Sequence, residues 1–457
     1  MSNSRYPATG GTQDIFFDRS GARLLPTIVR GEGVHLIDEN GRRLLDACSG
    51  PFLASLGQGN ERVLQAMMDQ GRKLTYTYSR TTRHQANADL AERLTTLAGI
   101  GFERAHLTSG GSEAIEMAIK FLRSHALASG QPQRTHLISL LPGYHGATFQ
   151  TIGLNGDVKS RALWDEMIVY SEKIPAPLTF RSSSADDAAT ASLTALAEVI
   201  DRLGGDRILA VVMEPIGGQS SGANVPHPSF ARGVRALCND HGIKLVFDEV
   251  VTAFRTGHFL AAQADTEALP DVVVLAKGFG GGYAPLGAAL FSREMVDELA
   301  ASSGFTVSHS YDANPMACAA GSAVLDEIVE RDLIKNAQDV GTYLRSRLES
   351  LALESPLIGD VRGRGLLLAI ELVADKDTLE RFPAAVDPAS VVLHHGLDHG
   401  LLLYSRRQNA GRYGDWLMIT PPLVVDTDNC DELMNGLEAA LRASVDELLS
   451  HRSKSRG

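Results

Sequence analysis

Six short apolar runs separated by helical patterns constrain the fold of this chain more than any other feature of its sequence. They lie between about residue 100 and residue 292 and read AHLTS, THLISL, ILAVVMEP, KLVFDEVV, DVVVLAK and PLGAALFS. The runs are rich in Val, Leu and Ile and do not alternate strictly between apolar and polar residues, which is typical of parallel strands covered on both faces. The sequence therefore predicts an α/β fold, with a central, mostly parallel sheet sandwiched by helices.

The helical pattern after the first run has the matching period. In SEAIEMAIKFLRSHALA the apolar residues fall on one stripe, so the helix is predicted to face the core. The residues of that stripe are Ala114, Met117, Ala118, Phe121 and Leu122.

The two ends of the chain differ from this central part. Glu39-Asn40-Gly41 stands between two apolar segments and predicts a hairpin, while the part after about residue 340 mixes helical and strand-like patterns. We therefore expect a large domain at 66–335, a smaller α+β domain at 336–457, and an N-terminal segment at 1–65 that packs with the small domain. The polar stretch at 182–192 is predicted to be a surface loop leading into a helix.

Composition argues against several classes of function. The 457 residues have a net charge of −12 without a basic face, so nucleic acid is not an expected partner. The four cysteines are far apart, which argues against a zinc site and a disulfide framework. No window reaches the roughly 18 apolar residues of a membrane span, and the first residues contain no apolar signal segment. We expect a cytoplasmic protein without a metal or a membrane partner.

Two of the apolar runs end in a charged residue, Asp248 in KLVFDEV and Lys277 in DVVVLAKG. A charge at the end of a buried strand needs a partner or a function. The carboxyl ends of the strands line the ligand crevice of open α/β sheets, so the two side chains are expected to share one site. Taken alone, they could also form a structural ion pair at the rim of the sheet.

Three further elements carry polar groups suited to a ligand. A Gly-Gly-Ser turn opens the helix described above, where Ser112 is predicted to cap the helix while the amides of Gly111 and Ser112 bind an anion. The same turn would also suit a plain helix cap. Tyr144 and His145 follow a Pro-Gly turn, where an aromatic ring can stack on a planar ligand, and Glu214 ends another strand.

A phosphate cradle, a stacking aromatic ring, a carboxylate and a lysine together suit pyridoxal 5′-phosphate. A lysine forms a Schiff base with its aldehyde, and a carboxylate keeps its ring nitrogen protonated, so that the ring accepts electrons. The sequence also resembles the class III, or subgroup II, aminotransferases of fold type I. The shared motifs occur in the family's order and are SEA at 112–114, YHG at 144–146, EP at 214–215, FDEV at 247–250, Lys277 before GFGGGYAPLG, and PPL at 421–423.

The resemblance implies a role for each matching residue. It makes Lys277 the Schiff-base lysine and proton shuttle, and Asp248 the partner of the ring nitrogen. Phosphate binding, ring stacking and support of the ring fall to a wider set of cofactor-binding residues. That set comprises Gly111, Ser112, Tyr144, His145, Glu214, Asp248, Val250, Lys277 and Ser310.

The resemblance also implies a homodimer with composite active sites. In the family a Thr reaches the phosphate from the neighbouring subunit, and Ser310 stands in its place in HSYDANP and keeps the hydroxyl. The chain departs from the family after its aspartate. Val251 stands where a Gln is often found, and the stretch DEVVTAFR is closer to that of glutamate-1-semialdehyde aminomutase.

The expected function is a transaminase that moves an amino group from an amine or ω-amino acid to pyruvate or 2-oxoglutarate by a ping-pong mechanism. A pyridoxal phosphate-dependent aminomutase and a non-catalytic cofactor-binding module are the alternatives. The acceptor's carboxylate needs a cation, and an arginine pairs with it bidentately. Arg412 in the loop SRRQNAGRYGDW is the preferred candidate, with Arg406 and Arg407 as the others.

Overall fold

The computed structural model describes residues 25–99, 101–156 and 162–453, whose strands form three sheets. The strands are β1 (Ile28–Glu32), β2 (His35–Asp38), β3 (Arg43–Asp46), β4 (Arg104–Thr108), β5 (His136–Leu141), β6 (Glu172–Pro175), β7 (Ile208–Met213), β8 (Lys244–Asp248), β9 (Val272–Leu275), β10 (Gly287–Phe291), β11 (Ile358–Arg364), β12 (Leu367–Leu372), β13 (Leu401–Leu402) and β14 (Asp415–Ile419). The helices are α1 (Ser49–Phe52), α2 (Glu61–Lys73), α3 (Gln85–Ala98), α4 (Gly111–Ala128), α5 (Phe149–Leu154), α6 (Ala185–Leu203), α7 (Pro228–His241), α8 (Arg293–Ser302), α9 (Pro315–Glu330), α10 (Leu333–Glu354), α11 (Pro388–Asp398) and α12 (Thr427–Ser453).

The large sheet has the strand order β4-β10-β9-β8-β7-β5-β6. Strand β10 is antiparallel to both of its neighbours, whereas the pairs from β9 through β6 are parallel, so the predicted mostly parallel sheet is confirmed. All six apolar runs are strands of this sheet. Strand β6, with the sequence EKIP, was not predicted, because a short and partly polar edge strand lacks the apolar run of a central one.

Helix α4 packs against the large sheet as its sequence predicts. All five residues of the apolar stripe are buried. The predicted cap is wrong: Gly110 occupies the N-cap position, and the hydroxyl of Ser112 instead accepts a hydrogen bond from the amide of Ala147 at 3.0 Å. The extended backbone of Gly110 already marks the start of the helix, and the side chain of Ser112 holds the neighbouring loop instead.

The stretch at 182–192 is a loop only in its first residues. Helix α6 already begins at Ala185, and the hydroxyl of Ser184 accepts a hydrogen bond from the amide of Asp187 at 3.0 Å. The serine is thus an N-cap, and the alanines after it supply helix propensity that the polar composition concealed.

Two smaller sheets surround the large one. Strands β11, β12 and β14 form an antiparallel sheet, and β1, β2, β3 and β13 form the other. The predicted hairpin is present, since β2 and β3 are antiparallel and the carboxylate of Asp38 accepts hydrogen bonds from two amides of their turn. Strand β13 pairs with β3 through Leu401 and Leu45.

The domain boundaries remain a prediction, and residues 1–24 of the predicted segment 1–65 lie outside the described residues. Among the helices that the structure describes, none combines the length and the apolar character needed to cross a membrane.

Candidate active site

A cavity of about 380 Å³ lies at the carboxyl ends of the large-sheet strands. Asp248 is the last residue of β8, and Lys277 follows β9 by two residues, so adjacent parallel strands deliver an acid and an amine to one place. The structure brings together most of the predicted site residues. Those that line the cavity are Gly111, Ser112, Tyr144, His145, Glu214, Asp248, Val250 and Lys277.

Burial of the Lys277 amine disfavours its charged form. Burial lowers the pKa of Lys277 to about 8, although the carboxylates of Asp248 and Glu214 act in the opposite direction. The residue has a φ of +47°, a left-handed conformation that is strained for a side chain other than glycine and that recurs at functional sites. Its amine lies 5.0 Å from the centre of the Phe52 ring. A proton can therefore leave this amine near neutral pH.

Asp248 is held by its neighbours from two sides. One carboxylate oxygen lies 2.9 Å from Nδ1 of His145, and the other accepts a hydrogen bond from the amide of Val250 at 3.1 Å. The side-chain oxygen of Asn155 accepts a hydrogen bond from the backbone amide of His145 at 2.6 Å, which fixes the histidine backbone. Nε2 of His145 is buried and has no hydrogen-bond partner among the described residues. The aspartate is thus oriented, and an ionised carboxylate retains further acceptor capacity.

The amino-terminal end of helix α4 forms another part of the cavity wall. Gly110, Gly111 and Ser112 line it there, and the first amides of a helix have no partner within the helix and carry a partial positive charge. A Cβ atom on Gly111 would lie 3.2 Å from Val250 and 3.4 Å from Ala276, so the wall is as close as a glycine allows. This end suits a phosphate group.

Glu214 lines the cavity and is bonded to the segment that follows it in the chain. Its two carboxylate oxygens accept hydrogen bonds from the amide of Gly218 at 2.9 Å and from the hydroxyl of Ser220 at 3.1 Å. Burial raises the pKa of Glu214. The side chain is fixed in place and can accept or share a proton with a bound group.

Three residues at or near the cavity were not predicted from the sequence, namely Phe52, Gln219 and Tyr404. Gln219 lines the cavity, and its side-chain oxygen accepts a hydrogen bond from the hydroxyl of Tyr404. The rings of Phe52 and Tyr404 meet edge to face, with their centres 5.4 Å apart. Gln219 could have been found as a lone amide in the Gly- and Ser-rich stretch after the Glu-Pro motif. The two aromatic residues give no signal, because such residues usually indicate core.

The three loop arginines lie in different surroundings. The guanidinium carbon of Arg406 is 4.3 Å from the centre of the Tyr144 ring, and its charge contributes to the lowered pKa of Lys277. Arg407 is paired with Asp415 at 2.6 Å. Arg412 is exposed, so the structure places Arg406 against the cavity and leaves the preferred candidate outside it.

Ser310 does not line the cavity of its own chain. It is exposed, next to Tyr311, whose surface is 67% exposed and whose ring meets that of Tyr76 at 6.5 Å. Within one chain, Ser310 is therefore not part of the cavity wall.

A buried carboxylate lies immediately behind the cavity. Glu249, the neighbour of Asp248, accepts hydrogen bonds at 2.7 Å from the hydroxyl of Thr252 and from the amides of Ala261 and Ala262. Burial raises the pKa of Glu249 to about 7. Its contacts hold the segment that follows β8 in place.

A buried arginine completes this support. The guanidinium of Arg255 donates hydrogen bonds to the carbonyl oxygen of Pro421 at 2.8 Å and to the hydroxyl of Ser49 at 3.0 Å. Burial lowers the pKa of Arg255 to about 10. These hydrogen bonds connect the Pro-Pro-Leu motif to helix α1, which contains Phe52. We call Glu249 and Arg255 the support pair.

Comparison with known proteins gives one consistent result. Residues 16–441 match the family model for class III aminotransferases. An uncharacterized aminotransferase of Schizosaccharomyces pombe is 31% identical over 432 residues, which cover 92% of this chain and 93% of that protein. The putrescine–pyruvate aminotransferase of Pseudomonas aeruginosa is 30% identical over 425 residues, with 91% and 90% covered.

The fold has a counterpart among solved structures. The crystal structure of an amine transaminase from an uncultivated Pseudomonas species, determined with pyridoxal phosphate bound, has a TM-score of 0.86 and 31% sequence identity to this chain. The match covers 97% of this chain and 99% of that one.

Proposed function

The chain belongs to the class III aminotransferases, and from this premise we propose that it transfers an amino group from an amine or ω-amino acid to pyruvate or 2-oxoglutarate. It is a transaminase with the fold of fold type I enzymes, and it uses pyridoxal 5′-phosphate. Its substrates are an amine and an oxo acid. The choice of donor and acceptor is the proposal, supported by the Pseudomonas aeruginosa relative that is named for putrescine and pyruvate.

The observation that carries the proposal is the convergence of Lys277, Asp248 and the start of helix α4 on one cavity. The three features suit the three chemical parts of the cofactor: the amine its aldehyde, the carboxylate its ring nitrogen, and the helix start its phosphate. Nε2 of His145, which has no hydrogen-bond partner among the described residues, also fits a bound group in this cavity.

Pyridoxal phosphate supplies the carbonyl group that carries the amino group and a ring that accepts electron density. The amine of Lys277 would move the proton between the donor carbon and the carbon that receives the amino group, because burial lowers its pKa to about 8 and so raises its neutral fraction near neutral pH. The reaction runs in two halves, so that the oxo product of the donor leaves before the oxo acid enters.

The carboxylate of Asp248 would hold a proton on the ring nitrogen of the bound cofactor through its negative charge. His145 is a positioning residue in this proposal, since its Nδ1 contacts that carboxylate at 2.9 Å. Tyr144 and Val250 line the cavity and would enclose the ring, Ser112 and Gly111 would hold the phosphate, and Glu214 would support the ring or the substrate.

Arg406 is the arginine that we propose for the carboxylate of the oxo acid. Its position over Tyr144 puts a planar, bidentate donor at the cavity wall, whereas Arg407 is committed to Asp415 and Arg412 is exposed. This reverses the order of preference that the sequence indicates.

We also propose a cytoplasmic homodimer with composite sites. Ser310 is exposed in one chain beside the exposed aromatic residues Tyr76 and Tyr311, as expected if it serves the cavity of a second copy. The cysteines are all buried and free, which suits a reducing compartment. Mixing the inactive variants Lys277→Ala and Ser310→Asp should restore activity, because one of the two sites in the heterodimer is then intact. Proven heterodimers without activity would contradict the composite site.

A single-turnover experiment tests the activity. Holoenzyme mixed with an amine donor in the absence of oxo acid should release one equivalent of carbonyl product per site, and the cofactor absorbance should stay changed as long as no oxo acid is present. Later addition of pyruvate or 2-oxoglutarate should reverse the change. An aminomutase would restore the absorbance without oxo acid, and a binding module would release no product. Either result would contradict the proposal.

A further inference from the structure

A second cavity, of about 960 Å³, lies outside the active site, and none of the residues assigned to the reaction lines it. It is formed by the loop after Arg255, helix α10, the hairpin of β11 and β12, and the segment before helix α6. Its charged lining residues are predominantly basic, and we call it the arginine cleft. They are Arg181, Arg345, Arg362, Arg364, His258 and Asp360. Such a basic lining stands out in a chain with a net charge of −12.

Two of the arginines are fixed by one buried carboxylate. Glu371 lies 2.7 Å from the guanidinium of Arg181 with one oxygen and 2.7 Å from that of Arg362 with the other. Arg362, with a side chain only 9% exposed, also donates to the carbonyl oxygen of Gly222 at 2.6 Å and to Asp360 at 3.1 Å. These bonds make the wall of the cleft a fixed structure rather than a set of mobile surface side chains.

Three groups of the cleft keep hydrogen-bonding capacity. One terminal nitrogen of Arg181 and Nδ1 of His258 are buried and have no partner among the residues that the structure describes. Arg364, exposed at the end of β11, forms no ion pair with any described residue. Arg364 therefore presents an exposed cation without an ion-pair partner among the described residues, and Arg181 and His258 line the same cleft.

The floor of the cleft is rigid and adjoins the support pair. A Cβ atom on Gly341 would lie 2.3 Å from the backbone of Gly365, and one on Gly365 would lie 2.1 Å from the carbonyl oxygen of Arg255. The amide of Leu366 donates to the same oxygen at 2.9 Å. Helix, hairpin and active-site loop thus pack backbone to backbone beneath the arginines, which gives a ligand a preformed surface.

We propose that the arginine cleft binds a small multivalent oxyanion, a phosphorylated compound or a polycarboxylate. Guanidinium groups bind both kinds of anion bidentately. The four arginines outnumber the three carboxylates that contact them or line the cleft, those of Asp360, Glu349 and Glu371. The volume lies within the range of about 300–1,000 Å³ found for small-molecule sites.

Calorimetric titration of the holoenzyme with pyrophosphate and with citrate tests this proposal. Bound cofactor occupies the phosphate end of the active site, and the Arg364→Ala variant distinguishes the arginine cleft from the carboxylate site proposed at Arg406. We expect at least one anion to bind with a Kd below about 1 mM. Tighter binding of pyrophosphate would assign the site to phosphorylated compounds, and tighter binding of citrate would assign it to polycarboxylates.

Two variants locate the signal. Arg364→Ala should weaken binding about tenfold or more, because it removes the unpaired cation of the cleft. Arg442→Ala is the matched control, since Arg442 is an exposed arginine on helix α12 that pairs with Glu438, and its binding should equal that of the wild type. Both should unfold at the wild-type temperature. A Kd above about 1 mM for both anions, or equal binding by Arg364→Ala and the wild type, would overturn the proposal.

Discussion

The cavity and the support pair behind it contain the same kinds of charged residue at similar depth, yet they use their hydrogen bonds differently. Asp248 is 5% exposed and Glu249 is 0% exposed, and they are neighbours in the chain. Glu249 accepts three hydrogen bonds from its surroundings, whereas Asp248 lines a cavity and is contacted only by the amide of Val250 and Nδ1 of His145 among the described residues. Burial alone therefore does not mark a functional carboxylate, and free bonding capacity at a cavity does.

The basic residues repeat this difference. Arg255 donates to backbone carbonyl oxygens and to a serine hydroxyl, while none of the described residues accepts a hydrogen bond from the amine of Lys277. Burial lowers the pKa of both, to about 10 for Arg255 and to about 8 for Lys277. Only the lysine reaches a range in which it can exchange a proton at neutral pH. Substitutions in the cavity should therefore lower turnover, whereas substitutions in the support pair should lower the free energy of unfolding.

The largest effect is expected at Lys277. Lys277→Ala should reduce turnover by about four orders of magnitude or more, because the group that holds the cofactor and moves the proton is lost. Its free energy of unfolding should change by less than about 1 kcal/mol, because the side chain faces a cavity. Steady-state turnover and urea unfolding measure the two quantities. Arg255→Ala should instead lower the free energy of unfolding by roughly 3 kcal/mol, because it leaves several buried hydrogen-bond acceptors without donors.

The two neighbouring carboxylates should respond differently to loss of charge. Asp248→Asn should lower kcat by about 10²–10³ with the cofactor still bound, because an amide cannot stabilise a protonated ring nitrogen. Glu249→Gln should leave kcat within about twofold but lower the free energy of unfolding by about 1–3 kcal/mol, because an amide accepts fewer of the three hydrogen bonds. Equal kinetic losses in the two variants would remove the distinction between the cavity and the support pair.

A smaller effect is expected among the loop arginines. Arg406→Ala should raise the KM for the oxo acid about tenfold, with the KM for a carboxylate-free amine nearly unchanged, because only the acid needs a cationic partner. Arg412→Ala, at an exposed position of the same loop, serves as the control and should change neither constant more than about twofold. A selective loss in Arg412→Ala alone would restore the preference that the sequence indicates.

The pH dependence of acetylation measures the charge state of the Lys277 amine against that of another lysine. In the apoprotein, acetylation of Lys277 should rise with pH around a midpoint near 8, because only the neutral amine is a nucleophile and burial lowers its pKa to that value. Lys335 is the internal control, since its ion pair with Asp339 raises its pKa. Mass spectrometry of the labelled peptides gives both profiles. Identical midpoints would contradict a lowered pKa at Lys277.

The sequence predicts the large sheet because its central strands are buried on both faces and read as continuous apolar runs. It predicts the meeting of Asp248 and Lys277 because parallel strands present their carboxyl ends at one edge. Short strands such as β6 and β13 escape prediction, since four or two residues contain too little pattern.

Loop geometry sets the limit for the site. The sequence places three arginines within one loop, but only the fold decides that Arg406 reaches Tyr144 while Arg412 faces solvent. In the same way, Gln219 enters the cavity through a loop whose course depends on contacts with Trp416 and Tyr404, which are distant in sequence.

We expect the cofactor to be held in the cavity through Lys277 and not at the support pair. Borohydride reduction of the holoenzyme fixes the cofactor to the amine that holds it, and peptide mapping by mass spectrometry then identifies that amine. We expect the mass of one reduced pyridoxal phosphate on the peptide that contains Lys277, and none in the Lys277→Ala variant. A modification on any other lysine, or an unmodified Lys277 in fully active enzyme, would contradict it.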